Sequence, residues 1–386
     1  MAKQSPIHVA GRLNLLEPFQ AVEVFQAARE LEAQGRDIVH LEFGEPDFPT
    51  PAPVKEAAIL AMLQGHTRYT HSLGLPEFRR VIAAYHADRY GVTVDPEQVL
   101  VSMGTSVLMQ LVMLLLLEPG DQVILTDPTY ACYANFVRIA GGEPVFVPIG
   151  EADGFQIDPA AVKKAITPRT RALLVCSPAN PTGVVLKPEV LRDLAGLGVP
   201  LISDEIYHGL SYGAPEATAL SYTDRAFVLN GFSKYFAMTG WRLGYLIFPK
   251  PLLQPVMRLH QSIMISAADY VQHAGMAAMQ KAIPECENYR AEYDRRRGYL
   301  IERLAGIGLP LGYEPTGAFY VFVNVRRHGS DSLKLAMELL REGGVAVTPG
   351  IDFGPGGEGY LRLSYASALD NIAAGVERLQ AFFAKR

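Results

Sequence analysis

The feature that most constrains this chain is a succession of short apolar runs spaced by helical stretches. "QVILTD" (122–127), "EPVFVPI" (143–149), "RALLVCSP" (171–178), "PLISDE" (200–205), "AFVLNGFS" (226–233) and "GYLIFP" (244–249) all read as strands. A strand with one wet face alternates apolar and polar residues, whereas a strand apolar throughout must be covered on both faces. Helix-like segments such as "TYACYANFVRIAGG" and "PEVLRDLAGLG" separate many of the runs. This alternation predicts an α/β fold, with a mostly parallel mixed sheet flanked by helices. Ligands of such sheets collect at the carboxyl ends of the strands, so residues just beyond the runs are the first candidates for chemistry.

The pattern changes near residue 286. "YRAEYDRRRGYLIERLAGIG" reads as a charged amphipathic helix, followed by "GAFYVFVNV", a helix around "SLKLAMELLREGG" and "EGYLRLSYA". The expected division is a large ligand-binding domain over 48–285 and a smaller α+β domain built from 1–47 and 286–386. The longest apolar run, "VLMQLVMLLLL" (107–117), is too short to span a bilayer and fits a buried helix. "MAKQSPIHVAGRLN" lacks the apolar core of a signal peptide. Cys132, Cys176 and Cys286 are far apart and odd in number, which argues against a disulfide framework or a zinc site. These features predict a cytoplasmic protein with no metal and no membrane partner. The net charge of −5 offers no electrostatic footing for nucleic acid.

Several residues stand where chemistry is expected, each with a plainer alternative. Gly104, Thr105 and Ser106 open a predicted helix, whose free N–H groups suit a phosphate or merely form a cap. Neither GxxxxGK[ST] nor GxGxxG occurs there. Asn180, between prolines after a strand, is either an amide donor to a ligand or a turn residue. Asp204 ends an apolar strand, with Tyr207 three residues on. A buried carboxylate needs a partner, although Asp204 could also cap a short helix. Lys234, in "NGFSKYFAMTGWRLGY", is a surface lysine or a desolvated amine with a lowered pKa, able to form a Schiff base. Arg242 is a phosphate ligand or a surface charge beside Trp241. Arg362, in "GYLRLSYA", suits a carboxylate if its strand face lines a cleft. Tyr69 and Tyr130 could flank a ring or a phosphate, or serve as loop and core residues.

The ordered set "LEFGEPDFPTP", "TRYTHSLGLPEFR", "SPANPTG", "DEIY", "SKYFAMTGWRLGY" and "GYLRLSYA" closely resembles the class I/II aminotransferases. These are the pyridoxal-phosphate enzymes of the aspartate-aminotransferase superfamily, fold type I, and the resemblance runs from about residue 10 to the C-terminus. It implies an enzyme that moves the amino group of an L-amino acid to a 2-oxo acid, 2-oxoglutarate by family habit. Lys234 would hold pyridoxal 5'-phosphate as a Schiff base and later carry the proton. Asp204 would pair with the ring nitrogen, and Tyr207 and Asn180 would bond its phenolic oxygen. Gly104, Thr105, Ser106, Ser233 and Arg242 would hold the phosphate, and Tyr130 would stack on the ring. Arg362 would bind the substrate carboxylate, with Asn180 and the Gly44 backbone nearby. Tyr69 would reach the phosphate of a neighbouring subunit, which implies a homodimer with shared sites.

The resemblance is imperfect at two places. Gly231 stands where many relatives have a hydroxyl residue. Phe19 and Gln20 stand where aspartate-specific relatives often have small hydroxyls, and no lysine accompanies Ser106. The second carboxylate of aspartate then lacks an evident cation, unless an arginine such as Arg12 supplies it. These departures predict a neutral or apolar donor. A carbon–sulfur lyase would use the same lysine, aspartate and arginine. A non-catalytic pyridoxal-phosphate sensor would need a DNA-binding domain, and none precedes "LEFGEPDF".

Overall fold

The computed structural model describes Ile7 and Val9 to Lys385. Its framework is a seven-stranded sheet. Strands are numbered along the chain, beginning with a two-residue β1 (Val39–His40) that lies outside this sheet. The sheet contains β2 (Val99–Ser102), β3 (Gln122–Asp127), β4 (Glu143–Pro148), β5 (Thr170–Cys176), β6 (Leu201–Asp204), β7 (Ala226–Gly231) and β8 (Gly244–Ile247). Their spatial order is β2-β8-β7-β6-β5-β3-β4. Neighbours are parallel except β8, which runs against both β2 and β7.

Burial follows position in this order. Every residue of the interior strands β6, β7 and β8 is buried, as their largely apolar character requires. β4 lies at an edge, is largely uncovered and carries Pro144 and Pro148, which an edge tolerates because no further strand needs their missing N–H. β2 has no counterpart among the six predicted runs. It spans four residues directly ahead of the Gly104 turn, too short to show a pattern of its own.

The helices on the sheet are α2 (Ala52–Leu63), α3 (Pro76–Tyr90), α4 (Thr105–Leu116), α5 (Cys132–Ile139), α6 (Pro159–Ala165), α7 (Pro188–Ala195), α8 (Leu253–Ile263) and α9 (Asp269–Lys281); α1 (Gln20–Ala33) precedes them. α4 is the predicted buried helix, packed with α5 and α8 against one sheet face through Leu108, Leu111, Val112 and Val256. No helix among the described residues is long and apolar enough to cross a membrane.

α10 (Ile283–Gly306) begins three residues before the expected change of pattern. After it come β9 (Tyr320–Asn324), α11 (Ser332–Glu338), β10 (Val345–Ala346), β11 (Thr348–Pro349), β12 (Tyr360–Ser364) and α12 (Leu369–Phe383). β11, β12 and β9 form an antiparallel sheet, with Arg362 paired to Thr348 on one side and Phe322 on the other. β1 pairs in parallel with β10, so the N-terminal segment is stitched to the C-terminal one.

Candidate active site

The parallel strands deliver their following residues to one edge of the sheet. β6 ends on Asp204, β5 leads to Asn180, β7 leads to Lys234, and β2 leads through Gly104 into α4. β8 runs the other way, so its beginning lies at that same edge and brings Arg242 there. A cavity of about 400 Å³ opens at this edge. Gly44, Thr105, Ser106, Tyr130, Asn180, Asp204, Tyr207, Ser233, Lys234, Arg242 and Arg362 all line it. Eleven of the predicted site residues are thereby brought together, although the chain places them between residues 44 and 362.

Two predicted residues fall outside the lining. Gly104 sits just behind it, where a Cβ would lie 2.9 Å from Nη2 of Arg242, so its lack of a side chain lets the guanidinium approach. Its φ of +82° is a second reason for glycine there. Tyr69 is 80% exposed and is not part of this cavity's walls.

Lys234 Nζ donates to the carbonyl of Gly44 at 2.5 Å and lies near the faces of Tyr207 and Phe319. Burial, with the nearby Arg362 and Arg242 guanidinium groups, lowers its pKa to about 8. Gly44 is where the chain must pass closest: a Cβ there would collide with the Tyr320 hydroxyl. Asp204 is buried, its Oδ2 accepting from the Tyr133 hydroxyl at 2.7 Å and its Oδ1 from the Ile206 N–H at 3.2 Å. Burial raises its pKa to about 6, against the opposing pull of the Tyr133 hydrogen bond. Asp204 therefore caps a turn over 206–209 and not the short helix considered from the sequence. The Tyr207 hydroxyl shares a hydrogen bond with that of Tyr320 at 2.9 Å, and burial pushes both phenols up.

Arg362 is fixed from several sides. Its Nη1 donates to Asn180 Oδ1 at 2.9 Å, and its Nη2 to the Glu42 carbonyl at 2.5 Å and Thr348 Oγ1 at 3.1 Å. The guanidinium lies 4.4 Å from the Tyr320 ring centre, and its Nε is buried without a hydrogen-bond partner among the described residues. Arg242 has a left-handed φ of +53°, a strained conformation for a long side chain. Gly231 is explained by crowding: a Cβ would meet Ile206, Leu243 and Gly244 atoms at 3.1–3.2 Å.

Sequence reasoning missed Tyr133, which reads as a core aromatic at the start of α5, and Tyr320, whose strand position carries no polar signature. It also missed Glu42 and Glu45 on the wall, the latter accepting from Thr239 Oγ1. Glu42 accepts from His40 Nδ1 at 2.6 Å, and that hydrogen bond is the main reason the His40 pKa rises to about 9. Phe19 lines the cavity as expected, beside Val22, Phe25 and Phe43. Gln20 does not; its backbone N–H donates to Asp352 at 2.6 Å. Arg12 is also absent from the lining, its guanidinium lying 3.5 Å from the Ile139 carbonyl.

Residues 36–379 match the family "Aminotransferase class I and II". The chain belongs to this family. It is 40% identical over 378 residues to the aspartate/prephenate aminotransferase of Thermus thermophilus, covering 96% of this chain and 97% of that protein. It is 36% identical over 382 residues to the (5-formylfuran-3-yl)methyl phosphate transaminase of Methanocaldococcus jannaschii, covering 98% and 100%. A single mutant of Thermus thermophilus aspartate aminotransferase superposes with a TM-score of 0.93 at 38% identity, over 97% of this chain and 99% of that one. The protein is thus an aminotransferase with the aspartate-aminotransferase fold.

Proposed function

We propose that this aminotransferase uses pyridoxal 5'-phosphate, held in the cavity at the sheet edge, to move an amino group from a neutral or apolar L-amino acid to a 2-oxo acid. The observation that carries the reading is the convergence of an amine of lowered pKa, Lys234, with the buried carboxylate of Asp204 and two guanidinium groups in one cavity. The residues fit the group. The α4 N-terminus with Thr105 and Ser106, together with Ser233 and Arg242, offers donors and positive charge for a phosphate. Tyr130 offers a ring face, Asp204 an anion for the ring nitrogen, and Lys234 the amine for a covalent link.

When bound, pyridoxal phosphate supplies an electron sink for the pair released at the substrate α-carbon. Asp204 would keep the ring nitrogen protonated, which a buried carboxylate does strongly because little water competes. Tyr207 and Asn180 would donate to the phenolic oxygen. Arg362 binds the substrate carboxylate, with its guanidinium already oriented by Asn180, Thr348 and the Glu42 carbonyl. Lys234, once free, takes and returns the α-proton at Nζ, and its lowered pKa suits that exchange near neutral pH.

The donor preference rests on the walls. Phe19, Val22, Phe25 and Phe43 supply apolar surface, and among the described lining residues the only cations are Lys234, Arg242 and Arg362. With those assigned, this chain itself offers a second substrate carboxylate Glu42 and Glu45 but no counter-charge, which is costly. Alanine or a larger apolar amino acid is therefore the better donor, and aspartate the poorer. We further propose a homodimer in which Tyr69 completes the neighbouring site. Support comes from its exposure beside an uncovered apolar strip of α2, Ile59, Leu60, Met62 and Leu63, with Ile263 and Ile265 also bare. The small domain would comprise 1–47 and 286–386, and the protein would act in the cytoplasm.

The test is the donor half-reaction measured separately for alanine, valine, phenylalanine and aspartate, followed by turnover with 2-oxoglutarate. The expected order places an apolar donor first; a clear preference for aspartate would refute the assignment of the pocket.

A further inference from the structure

A second cluster lies away from the cavity, where α2 meets α9. Asp269 and His273 are four residues apart at the start of α9 and so share one helix face. α2 ends at Leu63, and Gly65, with φ +85°, turns the chain so that His66 meets that face. His66 Nδ1 lies 3.3 Å from Asp269 Oδ2, and His273 Nε2 lies 3.4 Å from Asp269 Oδ1. The two imidazole rings are 4.3 Å apart, and one ligand atom from each of the three residues falls within 4.8 Å of the others.

Hydrogen bonding does not complete this cluster. Asp269 Oδ1 and His273 Nε2 are both buried and have no hydrogen-bond partner among the described residues, although they face one another. They stand in ion-pair range of each other without a hydrogen bond between them; buried polar atoms left so are costly, and a cation bound by both would satisfy them. We propose that His66, Asp269 and His273 form a binding site for a divalent transition-metal ion such as Zn²⁺. Tetrahedral zinc, with bonds of about 2.0–2.2 Å to nitrogen and oxygen, sets neighbouring ligand atoms roughly 3.3 Å apart. Each imidazole nitrogen already stands at that spacing from one oxygen of Asp269, His66 Nδ1 from Oδ2 and His273 Nε2 from Oδ1, so the carboxylate would bridge toward a single ion through both oxygens. Two imidazoles and one carboxylate favour zinc, cobalt, nickel or copper over magnesium or calcium. Three protein ligands leave a coordination position for water.

The site has a structural consequence. The segment following His66 runs to Thr70, which is already tied to α9 and the turn before it: its Oγ1 accepts from Gln272 Nε2 at 3.0 Å, and its N–H donates to Ser266 Oγ at 3.3 Å. A metal at His66 pins the other end of the same short segment, the one that carries Tyr69. Metal binding therefore fastens this strap to α9 and stabilises the folded chain by mass action. The reading does not depend on the substrate or on the cofactor.

The test uses tag-free, chelator-treated holoenzyme titrated with Co²⁺, followed by absorption and equilibrium dialysis, with thermal unfolding recorded in parallel. The expected result is one saturable Co²⁺ per chain in the micromolar range, displaced by Zn²⁺ and not by Mg²⁺, with a raised Tm. His66→Gln, on a side chain 40% exposed, and His273→Gln should each weaken binding by roughly tenfold or more and abolish the Tm shift. An absence of saturable binding, or binding unchanged in both variants while they remain folded, would overturn the site.

Discussion

Replacing Asp204 by asparagine should separate stability from catalysis, because the same carboxylate burdens the empty fold and drives the reaction. In the cofactor-free chain, burial raises the Asp204 pKa from an ordinary 3.8 to about 6. Between those values the folded state binds more protons than the unfolded one, so this group makes stability fall as pH rises through the window. The full effect, reached above pH 6, is about 3 kcal/mol of destabilisation. Asparagine removes that term. Its amide oxygen can still accept from Tyr133, while its nitrogen faces the Ile206 N–H, a lost hydrogen bond worth about 1 kcal/mol. Cofactor-free Asp204→Asn should thus be as stable as the parent at pH 7, or about 2 kcal/mol more stable, and should lack the decline between pH 4 and 6. Turnover should nevertheless fall by about 10²-fold or more, since the charge that holds the ring-nitrogen proton is gone. Urea unfolding from pH 4 to 7 and steady-state kinetics at verified cofactor loading measure the two halves. Near-normal turnover at full loading would refute the role given to Asp204.

Arg362→Lys should raise KM for every donor by roughly tenfold or more, because an ammonium cannot reproduce the planar contact or satisfy Asn180, Thr348 and the Glu42 carbonyl together. An effect confined to one donor in the kinetic panel would place Arg362 in the side-chain pocket instead. Capture of pyridoxal phosphate by the cofactor-free protein needs the neutral Lys234 amine, so its rate, followed by absorbance, should climb with pH and level off above about 8. A rate still climbing steeply past pH 10 would mean an ordinary solvated lysine. Mixing inactive Lys234→Ala chains with chains impaired at Tyr69 should restore activity, since one site of each hybrid dimer keeps both residues. No recovery after verified subunit exchange would count against a shared site.

Much of this architecture is legible in the chain because the physics is local. β5, β6 and β7 are buried almost throughout, so their runs are dominated by apolar residues, with few polar ones to obscure them. A parallel sheet then places the residues after each run at one edge, where Lys234, Asp204 and Asn180 stand, and the resemblance to the aminotransferases is what joins them in one site. Residues whose role depends on a distant partner were not legible. Tyr133 resembles any core aromatic until Asp204 is seen 2.7 Å away, and Tyr320 is a strand residue until Gly44 and Tyr207 close on it. Gln20 was misplaced because Phe19 and Gln20 straddle the start of α1, where adjacent side chains point in different directions. His66 and Asp269 are 203 residues apart, and no spacing rule connects them.

The central claim is that Lys234 is the residue through which this fold does chemistry. Borohydride reduction of the holoenzyme, followed by proteolysis and mass spectrometry, tests it most directly. The account predicts a single pyridoxyl label, carried on the peptide containing Lys234 and absent from the Lys234→Ala chain. A stoichiometric label on any other lysine, or its persistence in that variant, would contradict it.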